Sequence, residues 1–169
     1  TMVGTSGGRI MQYRQSTIDS VESTEEYLSS IIGLPLHYVL KSPDTELYDF
    51  GFGKPREIDN WYGKIRKLCP YTLHVLCDFS VLDSRERIEE IEFDGNSTPE
   101  MVEPVMKGLV GKKVQAVKVI QNHDLIIDFK FKRLWFITNS DSEESWRFFA
   151  TNLKQPHIVA SAHELWVEW

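Results

Sequence analysis

The spacing of apolar positions changes period several times along the 169 residues. In "STEEYLSSIIG" (23–33), Tyr27, Leu28, Ile31 and Ile32 fall on one face of a 3.6-residue spiral. Ser23 and Glu26 have capping-box spacing, Gly33 offers a left-handed terminator and Pro35 forbids continuation. The pattern therefore predicts a short helix with Ser23 as its N-cap. Downstream the period shortens towards two. "LHYVLK" (36–41) and "ELYDFGF" (46–52) read as strands joined through Ser42-Pro43-Asp44, and a charged loop around Trp61-Tyr62-Gly63 follows. In "YTLHVLCDF" (71–79), Tyr71, Leu73, Val75, Cys77 and Phe79 share one face, with Thr72, His74, Leu76 and Asp78 on the other. "RIEEIEF" (87–93) ends in the same alternation.

"STPEMVEPVMKGLVGK" opens with cap and proline signals and predicts a second helix over 99–110, with Pro104 near its first turn or at its start. A closing meander follows over 113–120, 124–131, 133–138, 145–150, 157–161 and 165–169. Its turns fall at Asn122-His123, at Lys132, in the acidic 139–144 loop and at Asn152–Pro156. The fold class is α+β: mostly antiparallel sheet ending in a C-terminal meander, with one or two short helices packed on it. Residues 1–22 are polar and Gly/Ser-rich and read as a flexible tail holding at most an edge strand at "RIMQYRQ". Residues 23–169 read as one domain.

Composition narrows the function. The 41% hydrophobic and 12% aromatic content belongs to a folded chain. A formal charge of −6 argues against nucleic acid as a partner. Charge is segregated: residues 83–103 hold eight acids and two arginines, whereas 104–137 hold seven bases and two acids. Two cysteines make neither a disulfide framework nor a zinc set. No apolar run approaches the ~18–20 residues of a membrane span, and no stretch has signal-peptide zones, so the cytoplasm is the expected compartment and no membrane partner is expected.

Catalytic patterns are absent from the sequence. His74-x-x-Cys77 places its two side chains on opposite faces of a strand, which no single ion can bridge, and Cys77 falls in the apolar row. "DFG" (49–51) lacks the other parts of a kinase, "GTSGG" (4–8) lacks its strand and helix, and no G-x-S-x-G elbow occurs. Lys130, Lys132, Arg133 and Trp135 mix basic and aromatic residues as single-strand binders do, in a patch too short to carry that reading. The expectation is a protein that is not an enzyme, with no catalytic residue, metal or cofactor.

Several segments in order, "IIGLPLHYV" (31–39), "YTLHVLCDF" (71–79), "LVGKKVQAVKV" (109–119), "DLIIDF" (124–129), "ESWRFFATN" and "PHIVAS" (144–161), resemble a group of small, mostly uncharacterised bacterial β-rich proteins. Gly33–Leu36, Tyr71–Val75, Ser145–Phe148 and His157–Val159 carry the motifs. "CDFSVL" departs from the Cys-Pro-Trp-like end of the group, and "DSRERIEEIEFDG" is this chain's own. The group implies no reaction. Through it the chain is similar to immunity proteins of contact-dependent growth inhibition and other polymorphic toxin systems. That resemblance implies a toxin inhibitor acting by direct binding, with a cognate, basic toxin as partner. The acids expected to meet it are Glu86, Glu89, Glu90, Glu92, Asp94, Asp141, Glu143 and Glu144. Two alternatives stand beside it: an enzyme with a composite site near His74, and a β protein that forms a homodimer or larger homo-oligomer through its terminal strand up to Trp169.

Overall fold

The computed structural model describes residues 14–17, 21–59, 65–85, 88–139, 144–151 and 155–168. With strands numbered in chain order, the larger sheet contains β1 (Arg14–Thr17), β2 (Leu36–Lys41), β3 (Tyr48–Phe52), β6 (Tyr71–Val75), β12 (Trp146–Ala150), β13 (His157–Ala160) and β14 (Leu165–Glu168). Their spatial order is β1-β14-β13-β12-β6-β3-β2. The second sheet contains β7 (Asp78–Asp83), β8 (Glu89–Phe93), β9 (Ala116–Val119), β10 (Leu125–Phe129) and β11 (Lys132–Ile137), in the order β8-β7-β11-β10-β9. β4 (Arg56–Asp59) and β5 (Ile65–Leu68) form a separate hairpin. The strand pairings are antiparallel, and two short helices, α1 (Val21–Leu28) and α2 (Pro99–Lys107), complete the α+β fold. The closing meander is divided: β9–β11 serve the five-stranded sheet and β12–β14 the seven-stranded one.

The two sheets face each other across one core. Phe50 of β3 meets Phe79 of β7 and Phe136 of β11 edge-on, with ring centroids 5.6 and 5.2 Å apart, and Tyr48 meets Phe79 at 4.8 Å. These offset and edge-on contacts are the favoured geometries for aromatic quadrupoles. The alternation read over 71–79 holds in its facing: Leu73, Val75, Cys77 and Phe79 are buried and His74, Leu76 and Asp78 point away, but Tyr71 is only half-buried and Thr72, on the outward face, is buried against Thr151. The strand itself is not continuous. It leaves the larger sheet after Val75, the Leu76 N–H bonds to the Ser145 carbonyl at 2.8 Å, and Asp78 opens β7 in the other sheet. One alternating run thus lines the core from both walls.

Helix α1 begins at Val21, so Ser23 lies inside it and is not its N-cap. The acid that does reach a backbone donor is Glu25, whose Oε2 accepts the Val119 N–H at 2.6 Å and ties α1 to β9. After Leu28 the chain tightens into a 3-10 turn, Ser29–Ile31. That change of pitch breaks the helical phase: Leu28 and Ile31 are buried, but Ile32 is exposed, against the expected common face. Gly33 has φ +89° and ends the turn as the sequence predicts. In α2, Thr98 caps the helix by accepting the Met101 N–H, and Val102 and Met106 face the core. The helix starts at Pro99, so Pro104 sits in its interior and not in its first turn.

Two further expectations are corrected. The turn assigned to Lys132 lies at Lys130-Phe131, with Phe131 at φ +64°, because Phe129 pairs with Lys132 and makes that lysine a strand residue. The charged loop expected around Trp61-Tyr62-Gly63 lies outside the described residues, between the paired strands β4 and β5. β14 is no free edge for a second copy: β1 pairs with it through Arg14↔Glu168 and Thr17↔Trp166, and Trp169 lies outside the described residues. β1 and the start of α1 fall within the 1–22 stretch read as a tail. Among the described residues, no helix is long and apolar enough to cross a membrane.

Candidate functional site

Cross-strand register decides which exposed residues become neighbours, because directly paired residues share a face. On the five-stranded sheet, Glu92 pairs with Ser80, Trp135 and Ile126 across β8, β7, β11 and β10. Glu90 pairs in the same way with Leu82, Arg133 and Asp128. This face is the one turned away from Phe79, Val81, Leu134 and Phe136. Ser80 and Ile126 are nevertheless buried, with the half-buried Trp135 indole between them in the row. The indole N–H donates to Asp124 at 3.1 Å, which fixes the ring across the face.

The predicted acids separate under this register. Glu90 and Glu92 stand exposed on this outer face of edge strand β8, and Glu89 projects to the other side with Asp83. No cation among the described residues lies within ion-pair distance of Glu90 or Glu92. Asp94 is consumed by its own turn: its carboxylate accepts the Asn96 N–H at 2.8 Å, and its carbonyl accepts the Tyr48 hydroxyl at 2.7 Å. Glu144 lies just ahead of β12 of the other sheet, bonded twice to Arg147. Glu86, Asp141 and Glu143 are outside the described residues. Two of the three cations in the basic-aromatic patch are paired with carboxylates, and Lys130 lies over the Phe131 ring. Arg133 makes a two-point contact with Asp128, at 2.7 and 3.3 Å, and Lys132 pairs with Asp83 at 3.0 Å.

The outer face of the seven-stranded sheet carries a network that strand patterning did not reveal. One row runs Trp166, Val159, Arg147, His74, Asp49 and Leu40; the adjacent row contains Glu168, His157, Phe149, Thr72, Gly51 and Tyr38. Arg147 donates to Glu144 and, at 2.8 Å, to Glu168, and contacts His157 Nδ1 at 2.9 Å. Trp166 Nε1 donates to the second Glu168 oxygen at 2.7 Å. Burial works against the guanidinium charge, but the Glu144 and Glu168 carboxylates outweigh it and raise the Arg147 pKa. His157 is held below the usual imidazole value by burial and then by Arg147. Its ring stacks on Phe149, and His74 meets the same ring edge-on.

His74 Nε2 lies 3.7 Å from Asp49 Oδ1, which also accepts the Tyr38 hydroxyl at 3.2 Å. Burial raises the Asp49 pKa, and His74 and Tyr38 act to lower it. The Tyr38 ring occupies the space over Gly51 that a side chain would need: a Cβ there would fall 2.1 Å from Tyr38 Cε2. Burial pushes the Cys69 thiol up to about 11 and the Cys77 thiol to about 12, so neither is a thiolate near neutrality. Among the described residues, no three His, Cys, Asp or Glu side chains converge as a metal site would require. Each member of the network alternates with apolar residues in its strand, which marks it as outward-facing. Nothing in the sequence marks them as mutual neighbours.

No family model, curated protein or solved structure matches the chain.

Proposed function

We propose that this protein is a non-catalytic binding protein of the immunity type, which neutralises a basic protein toxin by capturing it on the outer face of the five-stranded sheet. The observation that carries the reading is the pairing of an anchor with a charged rim. Glu90 and Glu92 border a face that holds Trp135, Leu82 and Arg133. Tryptophan and arginine dominate the energetics of interface centres, and uncompensated rim charge speeds encounter with an oppositely charged partner.

The test is co-expression with the product of the adjacent upstream gene. A 1:1 complex and restored growth are expected. In the double variant Glu90→Lys/Glu92→Lys, association at low salt slows at least about tenfold, and the difference shrinks as salt screens it. Absence of a complex together with absence of growth protection removes the proposal. A second reading rests on the Asp49–His74 contact, an acid–base arrangement on a half-exposed ring. If His74→Gln abolishes protection while leaving the complex intact, that reading takes precedence.

A further inference from the structure

We infer that Arg147 and His157 form an acid-sensitive clasp that fastens the C-terminal strands β13 and β14 to the centre of the seven-stranded sheet. The geometry fixes the protonation state. A guanidinium has five N–H donors and no acceptor, so a 2.9 Å contact between Arg147 Nη1 and His157 Nδ1 is a hydrogen bond only when Nδ1 carries a lone pair. The imidazole is therefore neutral, with its proton on Nε2. From β12 the guanidinium also reaches across β13 to Glu168 on β14, and Trp166 holds Glu168 from the other side. Three adjacent strands are thus joined through one cation, and among the described residues β1 is paired to the sheet only through β14.

Protonating His157 converts the donor–acceptor contact into two cations at the same separation. The charged and titratable groups facing the imidazole are Arg147 on β12, Glu168 on β14, His74 on β6 and Glu144 ahead of β12. Glu144 and Glu168 remain bonded to the guanidinium and keep it in place, so the imidazole is the group that must move. It is stacked on Phe149 at 4.3 Å, and its displacement uncovers that ring and loosens β13 against β12. Burial and the neighbouring guanidinium lower the folded-state value, so the folded chain binds fewer protons than the unfolded chain below 6.5. Strand attachment is full above that value and is lost as pH falls towards the folded-state value.

Amide hydrogen exchange on the full chain between pH 7.5 and 5.5, corrected for the intrinsic pH dependence of exchange, tests the clasp. Opening of β13 and β14 is expected to increase on acidification, up to roughly tenfold for each unit by which the folded imidazole titrates below the unfolded one, with β3 and β6 unchanged. His157→Asn keeps an acceptor for Arg147 that cannot be protonated at these pH values, and its β13–β14 exchange is expected to be flat. An acid response in this variant equal to that of the wild type overturns the inference, as does uniform loosening of all strands. Should the variant fail to fold, the wild-type imidazole decides: NMR titration below 6.5 with a coincident shift of the Arg147 side-chain N–H supports the clasp. A midpoint at or above 6.5 refutes it.

Discussion

Replacing Arg147 by methionine isolates the energetic weight of the outer-face network. Methionine retains much of the aliphatic stem, so packing changes little and the lost groups are the charge and its donors. Two carboxylates and one imidazole nitrogen then lose the guanidinium, although Glu168 keeps the Trp166 N–H. Removing one member of a fully buried ion pair costs about 3–5 kcal/mol, whereas exposed pairs contribute about 0.2–1 kcal/mol. The side chains of Arg147, Glu144 and Glu168 are 20%, 25% and 21% exposed, closer to the buried limit but still wet. A loss of about 2–3 kcal/mol follows once the buried figure is discounted for that access to water. The same chain supplies the control. Arg133 makes an equally good two-point contact with Asp128, but at 42% exposure, so Arg133→Met should cost less than about 1 kcal/mol. Urea unfolding at pH 7, followed by tryptophan fluorescence, gives both values from the midpoint and slope. Equal losses for the two arginines, within about 0.5 kcal/mol, would refute the argument that burial sets the difference.

Two further outcomes follow from named contacts. Gly51→Ala drives a methyl group into the Tyr38 ring and displaces it from Asp49, for an expected loss of about 1–3 kcal/mol. In a Tyr38→Ala background that penalty should fall by more than half, and an unchanged penalty would mean that the strain lies elsewhere. Asp83 is held down to about 2 by the Arg85 backbone N–H and then by Lys132, so its folded value is below the unfolded 3.8. Its contribution to stability is present above 3.8 and disappears as pH falls towards 2, and NMR titration of the carboxyl in Lys132→Gln should show the value rising.

Periodicity carried most of the element map, and its failures have local causes. The run from Tyr71 to Val81 shows which side chains face the core because alternation is a property of one strand and needs no partner, although Thr72 and Ser80 on the outward row are buried as well. It does not show that the run changes sheets at Leu76-Cys77, since both walls of the core demand the same inward row. A helical wheel puts Ile32 on the buried face because it assumes constant pitch, and the 3-10 turn after Leu28 alters it. The true turn at Lys130-Phe131 is hidden from the sequence because it puts a non-glycine residue at positive φ, which composition does not signal.

The acidic stretch illustrates the same division at the candidate site. Sequence alone establishes that Glu89, Glu90, Glu92, Asp94 and Glu144 are acidic and suited to a surface. Only the folded chain commits Asp94 to its own turn and Glu144 to Arg147, leaving Glu90 and Glu92 on the edge strand of the face that holds Trp135, with β7 between them. His74, Asp49, Arg147, His157 and Glu168 come from five strands distributed between residues 48 and 168, and antiparallel register alone makes them neighbours. The local pattern therefore determined which way side chains face, because facing depends on a residue's own backbone. Tertiary structure decided which of them meet, because register is a relation between distant strands and is set by the shared core they bury.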